Sequence, residues 1–195
     1  QARTIPGPIP ETEIAKRRDF RSYEIVTIDG ETARDFDDAV WVDRLDNGHW
    51  ALHVHIADVS YYVRPGSPID REALLRGTSV YFPDRAVPML PLELSTDQCS
   101  LRPHEDRLVM SALLEIDNHG DICRWNKAAT DIFGLPPGSV LGRPLRDSGI
   151  PWDWSQVAGL VDGSLDDSQS WHRDGVPYDR PDQTQGYLTL TLSRV

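Results

Sequence analysis

Apolar residues alternate with polar ones, or form short runs, in several segments between Tyr23 and Trp125. The first segment, YEIVTID, predicts a buried strand that ends at Asp29, and two further strand patterns, AVWVDRL and HWALHVHIADV, follow it. The residues between these two include Asn47-Gly48, a strong hairpin signal because both residue types tolerate positive φ angles. The pattern therefore predicts a hairpin from Ala39 to Val59.

Three short helices are predicted, one in DWSQVAGLVDG and two from the signals at their ends. In SPIDREALLRG, Ser67 is a candidate N-cap and Gly77 a candidate stop, and in NKAATDIFG the same positions are taken by Asn126 and Gly134. The segment VYFPDRAVPMLPLELS contains too many prolines for a long regular element, so we expect an ordered loop there.

The second half of the chain supplies further strand patterns. LVMSALLEI and DICRWN predict a second hairpin near Leu108 to Trp125, and GYLTLTLSRV alternates strictly enough to predict a half-exposed strand at the end of the chain. Short helices between strands that follow each other closely predict a mixed α/β fold of the α+β kind, with mostly antiparallel strands.

Composition limits the size of the core and the cellular compartment that we expect for this fold. The chain has 195 residues, of which 39% are hydrophobic, which is enough for one sizeable core or two small ones. No window approaches the roughly 20 apolar residues of a membrane span, and the first residues lack the apolar core of a signal peptide. With only Cys99 and Cys123, both expected as reduced thiols, we expect a cytoplasmic protein without membrane association.

The net charge of -11 argues against a large basic surface for nucleic acid, but it does not exclude a metal-dependent nuclease, whose site needs acidic ligands. Four aspartates lie within ten residues after the first strand pattern: Asp29, Asp35, Asp37 and Asp38. Carboxylates brought together repel one another, so either a cation neutralises them or some pKa values rise. Oxygen ligands without nearby cysteine favour Mg²⁺ or Mn²⁺. A solvated acidic loop is the alternative, and spacing alone does not decide between the two.

An EF-hand calcium loop does not explain these acids. Counted from Asp35, the sixth position of such a loop would need glycine but is Val40, and the twelfth would need glutamate but is Asp46.

Three longer motifs carry a family resemblance: RRDFRSYEIVTIDGETARDFDDAV, IADVSYYVRPGSPIDREALLRGTSVYFPDRAVPMLPLELS and CSLRPHEDRL. Together, over about residues 16–117, they resemble the first part of the catalytic RNB domain of the ribonuclease II and ribonuclease R family. The resemblance implies a 3′-to-5′ exoribonuclease that hydrolyses single-stranded RNA to nucleoside 5′-monophosphates with Mg²⁺, or with Mn²⁺ instead.

The same resemblance implies roles for individual residues. Asp29, Asp35 and Asp38 would hold the metal directly or through water, while Asp37 would position the attacking water or a second metal ion. Tyr81 matches the family's tyrosine that packs on a base near the cleaved end, and an aromatic face stacks on any base.

Other candidates have ordinary alternatives. Arg34, beside the acids, is a candidate RNA contact, and Arg85 and Arg107 are weaker ones, because each can equally be a surface or ion-paired arginine. His53 and His55 share one side of a strand, but such a pair is usually packing or surface, and we do not assign them to a site.

The resemblance ends after Asp117, since the family's downstream arginine-rich segment and the glutamate that completes its site have no counterpart here. Instead, GDICRWNKAATDIFGLPPGSVLGRPLRD resembles the start of a PAS domain that lacks its last strand and for which we expect no cofactor. We therefore divide the chain into a flexible segment, 1–15, a partial RNB domain, 16–117, and a PAS-like domain, 118–195.

Three functional hypotheses stay open on this division. The first is the exoribonuclease, with weak or no activity in this truncated chain. The second is a PAS-type sensor or interaction module whose second half mediates protein contacts or dimerisation. The third is a chimeric protein without activity.

Overall fold

The computed structural model describes residues 9–29, 33–82 and 84–150, together with the backbone of 171–179 and 185–192. The helices are α1 (Glu11–Ile14), α2 (Val59–Tyr62), α3 (Pro68–Arg76), α4 (Lys127–Phe133) and α5 (Pro137–Val140), with a π-helical turn at Leu94–Gln98 and a 3₁₀ turn at Leu145–Asp147. The strands are β1 (Asp38–Arg44), β2 (Trp50–Ala57), β3 (Val80–Tyr81), β4 (Ala86–Val87), β5 (Val109–Ile116), β6 (Ile122–Trp125), β7 (Trp171–Asp179) and β8 (Gln185–Leu192).

These strands form one sheet of four strands, in the order β1-β2-β5-β6, and two sheets of two strands, β3-β4 and β7-β8. The pairs β3-β4, β5-β6 and β7-β8 are antiparallel. The mixed α/β fold with antiparallel strands is therefore confirmed. Two compact units divide the chain: Gln1–Val42 with His53–Ser111, and Asp43–Leu52 with Ala112–Val195.

The predicted hairpin from Ala39 to Val59 is present as β1 and β2. Its turn closes through hydrogen bonds from the Gly48 amide to the Leu45 carbonyl, 2.8 Å, and from the Leu45 amide to the His49 carbonyl, 2.8 Å. Gly48 has a φ of 83°, whereas Asn47 does not take a positive φ. The glycine alone therefore supplies the left-handed position, and Asn47 uses its side chain instead, to accept a hydrogen bond from the His49 amide.

The two helices predicted from their caps begin and end where these caps place them, while the helix predicted in DWSQVAGLVDG lies outside the described residues. The Ser67 side chain accepts a hydrogen bond from the Asp70 amide at the start of α3, and the Asn126 side chain accepts one from the Ala129 amide at the start of α4. Gly77 and Gly134 end the two helices with φ angles of 73° and 70°. Each cap satisfies amides that the first turn leaves unpaired, and each glycine allows a backbone turn that other residues resist.

The buried strand predicted for YEIVTID is wrong. Only an isolated bridge joins Val26 to Val40, and both Val26 and Ile28 are exposed. The Ile25 amide donates to the Tyr23 carbonyl two residues back, at 2.9 Å. This local hydrogen bond takes a donor that a strand would have offered to its neighbour, so the apolar pattern does not become a ladder.

Two other expectations are corrected in detail. The proline-rich segment, predicted as a loop, contains the short strands β3 and β4 and the π-helical turn. The strand predicted to reach Val59 stops at Ala57, because the side chain of Asp58 accepts a hydrogen bond from the Tyr61 amide and begins α2. A short carboxylate at this position favours helix initiation over a continued strand.

A cluster of aromatic rings packs against β2 in the first unit. Phe20 contacts His53 and His55 with ring centroids 5.5 and 4.9 Å away, and Trp41 lies 4.5 Å from the His53 ring. His53 and His55 are 7% and 1% exposed, so both are packing residues.

The second unit has its own small core. Buried apolar side chains from β5, β6 and α4 include Leu114, Ile122, Trp125 and Ala129. The second hairpin, predicted near Leu108 to Trp125, is confirmed by the antiparallel pairing of β5 with β6. The predicted last strand corresponds to β8, while the PAS-like assignment of 118–195 stays a prediction.

Cys99 is buried and Cys123 is exposed, and both are free thiols. None of the helices in the described part of the chain is long and apolar enough to cross a membrane. Of the segment expected to be loose, 1–15, residues 9–15 are described and contain α1.

The burial of His55 gives a testable pH dependence of stability. Burial, and then the neighbouring His53, lower the pKa of His55 from 6.5 to about 4. Between pH 6.5 and 4, the unfolded chain therefore binds a proton at His55 that the folded chain does not bind. The contribution of neutral His55 to stability is present above pH 6.5 and lost as the pH falls towards 4. The loss amounts to about 3 kcal/mol.

We expect His55→Asn, which retains a polar atom near the Ser111 hydroxyl, to flatten the fall of the unfolding free energy between pH 6.5 and 4. Urea unfolding across this range measures it. His119→Asn, at an exposed position, is the control and should keep the wild-type slope. A wild-type slope in His55→Asn would contradict the assignment.

Candidate functional site

The candidate site lies where the chain enters β1. Asp38 is the first residue of that strand, Asp35 and Asp37 lie in the preceding loop, and Asp29 follows the bridge at Val26. Asp35 is half-buried, and the other three aspartates are more exposed but still partly covered by neighbouring atoms. All four acids thus lie near the start of β1.

Backbone hydrogen bonds hold this loop against the rest of the first unit. The Asp37 carbonyl accepts from the Ala57 amide at 2.9 Å, and the Phe36 carbonyl accepts from the Leu101 amide at 2.7 Å. Val26 and Val40 exchange amide-to-carbonyl hydrogen bonds of 2.9 and 2.8 Å. These bonds fix the main chain on both sides of the acids, so their convergence does not depend on attraction between the side chains.

The four carboxylates influence one another electrostatically. Burial raises the pKa of Asp29 to about 6, and the charges of Asp38, Asp37 and Asp35 add to this increase. Burial raises the pKa of Asp37 as well, against a backbone hydrogen bond that lowers it, and the charge of Asp35 adds to the increase. Like charges in a partly desolvated site disfavour the ionised form.

The same causes act on Asp38, since burial and then the charge of Asp37 raise its pKa. Burial and neighbouring carboxylates therefore raise the pKa values of three of the four acids when no cation is bound.

Tyr81 meets the acids from β3. Its hydroxyl donates a hydrogen bond to the Asp35 carboxylate, and this bond raises the pKa of Tyr81 to about 12. Tyr81 as a whole is 63% exposed, so its ring is accessible for stacking while its hydroxyl stays on Asp35. The structure therefore brings together Tyr81 and the acids.

The three candidate arginines differ in their side-chain contacts. Arg34 is exposed beside the acids, and its side chain has no hydrogen bond or ion pair with any described residue. Arg85 forms an ion pair with Asp84 and lies over the Phe82 ring, 5.0 Å from its centroid. Arg107 donates from Nε to the Ser100 carbonyl at 2.9 Å. Arg107 is thus a structural residue, and among the described residues nothing pairs with the Arg34 guanidinium.

The donor set fits a hard divalent cation by its chemistry. Carboxylate oxygens are the preferred ligands of Mg²⁺, and a cation would relieve the repulsion that raises these pKa values. No group of three or more His, Cys, Asp or Glu side chains in the described part of the chain is already arranged to hold a metal ion. Side-chain adjustment on the fixed backbone would accompany binding.

Ser100 is a contact of the acidic loop that the sequence did not indicate. Its hydroxyl accepts a hydrogen bond from the Phe36 amide at 3.2 Å and donates one to the Arg34 carbonyl at 2.9 Å. No local pattern predicts a contact between residues this far apart in the chain.

Comparison with known proteins gives a family and several relatives. Residues 17–132 match the RNB domain, a match that extends past Asp117 into β6 and α4. Ribonuclease R of Thermotoga maritima is 51% identical over 126 residues, covering 65% of this chain and 18% of that protein. Ribonuclease R of Escherichia coli is 55% identical over 120 residues, covering 62% and 15%. The chain thus spans less than one fifth of these curated relatives.

Solved structures agree with this family. Mycoplasma genitalium RNase R in complex with double-stranded RNA aligns with a TM-score of 0.60 and 25% identity, covering 97% of this chain and 36% of that one. The yeast pseudonuclease Ssd1 aligns with a TM-score of 0.55 and 27% identity, covering 62% and 15%. The chain is therefore similar both to a protein solved with RNA and to one described as a pseudonuclease.

The electrostatics of the acidic site give a prediction for the metal-free protein. Because the pKa of Asp29 is raised to about 6 from 3.8, the folded chain holds this proton more tightly than the unfolded chain. Stability therefore falls as the pH rises from about 4 to about 6 and stays reduced above this range. Asn at this position imitates the protonated acid.

In EDTA, we expect Asp29→Asn to raise the thermal unfolding midpoint at pH 7.5 and to raise it less at pH 5, where part of the wild-type chain still holds this proton. Asp46→Asn, in the β1–β2 turn, is the matched control and should show no such pH-dependent gain. An Asp29→Asn midpoint at or below wild type at pH 7.5 would show that the acids do not repel one another as described.

Proposed function

Because the chain belongs to the RNB domain family, we propose that it provides the acidic part of a 3′-to-5′ exoribonuclease site that hydrolyses single-stranded RNA to nucleoside 5′-monophosphates. The observation that carries the proposal is the electrostatic coupling of Asp29 to Asp35, Asp37 and Asp38 on a backbone held by hydrogen bonds.

The fold alone does not carry this proposal, since a pseudonuclease shares it.

The reaction is the hydrolysis of one phosphodiester bond. Water attacks the phosphorus of the last nucleotide, the bond to the O3′ of the preceding nucleotide breaks, and that oxygen leaves with a proton as the new 3′ end. An Asp37 carboxylate oxygen would accept a hydrogen bond from the attacking water and so orient it. Positioning is the main contribution that a protein makes to such a reaction.

Asp29, Asp35 and Asp38 would hold a Mg²⁺ ion, with Mn²⁺ as the alternative. When bound, the ion would supply stabilisation of the charge that develops on the phosphate oxygens. The support for this ligand set is the hard oxygen chemistry of the three side chains and the raised pKa values of Asp29 and Asp38, which a cation would lower.

Contacts with RNA would come from Tyr81 and Arg34. The exposed Tyr81 ring offers a stacking surface that accepts any base, in keeping with a nuclease indifferent to sequence. The Arg34 guanidinium, exposed beside the acids, would pair with a phosphate and offset part of the negative charge that the site presents to RNA.

For residues 118–195, the proposal is a contact surface for another protein or for a second copy. Its support is the PAS-like sequence pattern, whose first strand and short helix correspond to β6 and the capped helix α4. The alternative is a chimeric chain in which neither half is active.

Activity of the 195-residue chain is expected to be far below that of a full-length relative. The chain covers 15% to 18% of the Escherichia coli and Thermotoga maritima enzymes, and its net charge of -11 repels phosphate. Loss of positioning groups costs about 100-fold or more in rate. The measurement is shortening of a 5′-labelled single-stranded oligoribonucleotide in Mg²⁺, with chromatography of the released 5′-mononucleotides.

We expect the residual activity to disappear in Asp37→Asn and to persist in Asp46→Asn. Rapid processive shortening by the wild-type chain would contradict the expected weakness. Equal rates in wild type and Asp37→Asn would contradict the role of Asp37.

A further inference from the structure

The acidic loop is held by one buried hydroxyl in addition to its backbone contacts. Ser100 is fully buried, and its Oγ accepts a hydrogen bond from the Phe36 amide and donates one to the Arg34 carbonyl. Phe36 and Arg34 are the residues on either side of Asp35. One hydroxyl therefore fixes the peptide groups that flank a candidate metal ligand.

We propose that Ser100 is a positioning residue for the acidic site, which sets the direction of the Asp35 carboxylate by bridging the main chain before and after it. This inference rests on the function proposed above for the four aspartates. A serine hydroxyl suits the task because it can donate and accept at once, whereas an apolar residue of similar size would leave both peptide groups without this partner.

The segment that carries Ser100 is itself held in place. The Ser100 amide donates to the Asp97 carbonyl at 2.9 Å, and the Ser100 carbonyl accepts from Arg107 Nε at 2.9 Å. The next residue, Leu101, donates its amide to the Phe36 carbonyl. The backbone that carries the hydroxyl is thus fixed by other contacts. The position of the hydroxyl can therefore determine the position of the acidic loop.

The opposite side of Asp35 is held by Tyr81, whose hydroxyl contacts the carboxylate itself. Ser100 fixes the main chain of this residue and Tyr81 its side chain. The orientation of Asp35 therefore depends on residues far away in the sequence, and changes at Ser100 should act on the site through it.

The second unit offers a matched control. Ser148 is also buried, 4% exposed, and its Oγ donates to the Leu145 carbonyl at 2.6 Å and accepts from the Ile150 amide at 3.4 Å. Ser148→Ala therefore removes a hydroxyl of the same kind, with the same two types of partner, from a unit that does not contain the four aspartates.

The test compares Ser100→Ala with Ser148→Ala in the full 195-residue chain, by amide hydrogen exchange and by the Mg²⁺ dependence of the thermal unfolding midpoint. We expect the Phe36 amide to exchange about threefold to tenfold faster in Ser100→Ala, as the loss of one hydrogen bond implies. We expect the half-saturating Mg²⁺ concentration to rise by a similar factor. Ser148→Ala should change neither quantity, even where it lowers the midpoint equally.

Wild-type exchange at Phe36 in Ser100→Ala, or equal changes in both variants, would overturn the proposal. If wild-type protein shows no response to Mg²⁺, the metal site proposed above fails, and exchange at Phe36 alone decides whether Ser100 positions the loop. Should Ser100→Ala not fold, Ser100→Cys retains a weak donor and acceptor of similar shape. It should then show a smaller change in the same direction, and no change in it would overturn the proposal.

Discussion

Repulsion among four aspartates is the constraint on which the site depends. The chain gathers Asp29, Asp35, Asp37 and Asp38 at one end of β1 although each charge opposes the others, as the raised pKa values of three of them show. Such an arrangement persists only where other interactions hold the backbone. Here, the amides of Ala57 and Leu101 supply much of this hold.

The fold around the site explains how the backbone of β1 stays in place despite this repulsion. β1 belongs to a four-stranded sheet, and β2 beside it is anchored by His53 and His55 in a cluster of aromatic rings. Histidine in a packed core has to stay neutral, which lowers the pKa of His55 while the acidic site raises the pKa of Asp29. His55 and Asp29, both in the first unit, therefore change its stability in opposite directions as the pH falls.

Local signals predicted the parts of the fold that depend on neighbouring residues. Ser67, Asn126, Gly77 and Gly134 cap their helices as expected, because each acts within one turn of its own position. The strand predicted to end at Asp29 was wrong because a strand needs a partner along its length, and the apolar pattern of YEIVTID says nothing about hydrogen bonds to another segment.

The site was predictable only in part for the same reason. The four aspartates lie within ten residues of sequence, so their spacing was enough to find them, and the family resemblance indicated Tyr81. The contact of Ser100 with Phe36 joins residues 64 positions apart, and that of Tyr81 with Asp35 joins residues 46 apart. Contacts between residues so far apart in sequence are set by the packing of the whole unit.

Binding of Mn²⁺, followed by its electron paramagnetic resonance signal, tests the central claim most directly. The account predicts saturable binding by the wild-type chain, competition by Mg²⁺, and loss of this binding in Asp29→Asn/Asp38→Asn but not in the control Asp43→Asn/Asp46→Asn. Equal binding by wild type and both double variants would contradict it, since the ion would then be held by negative charge in general and not by the acids at the end of β1.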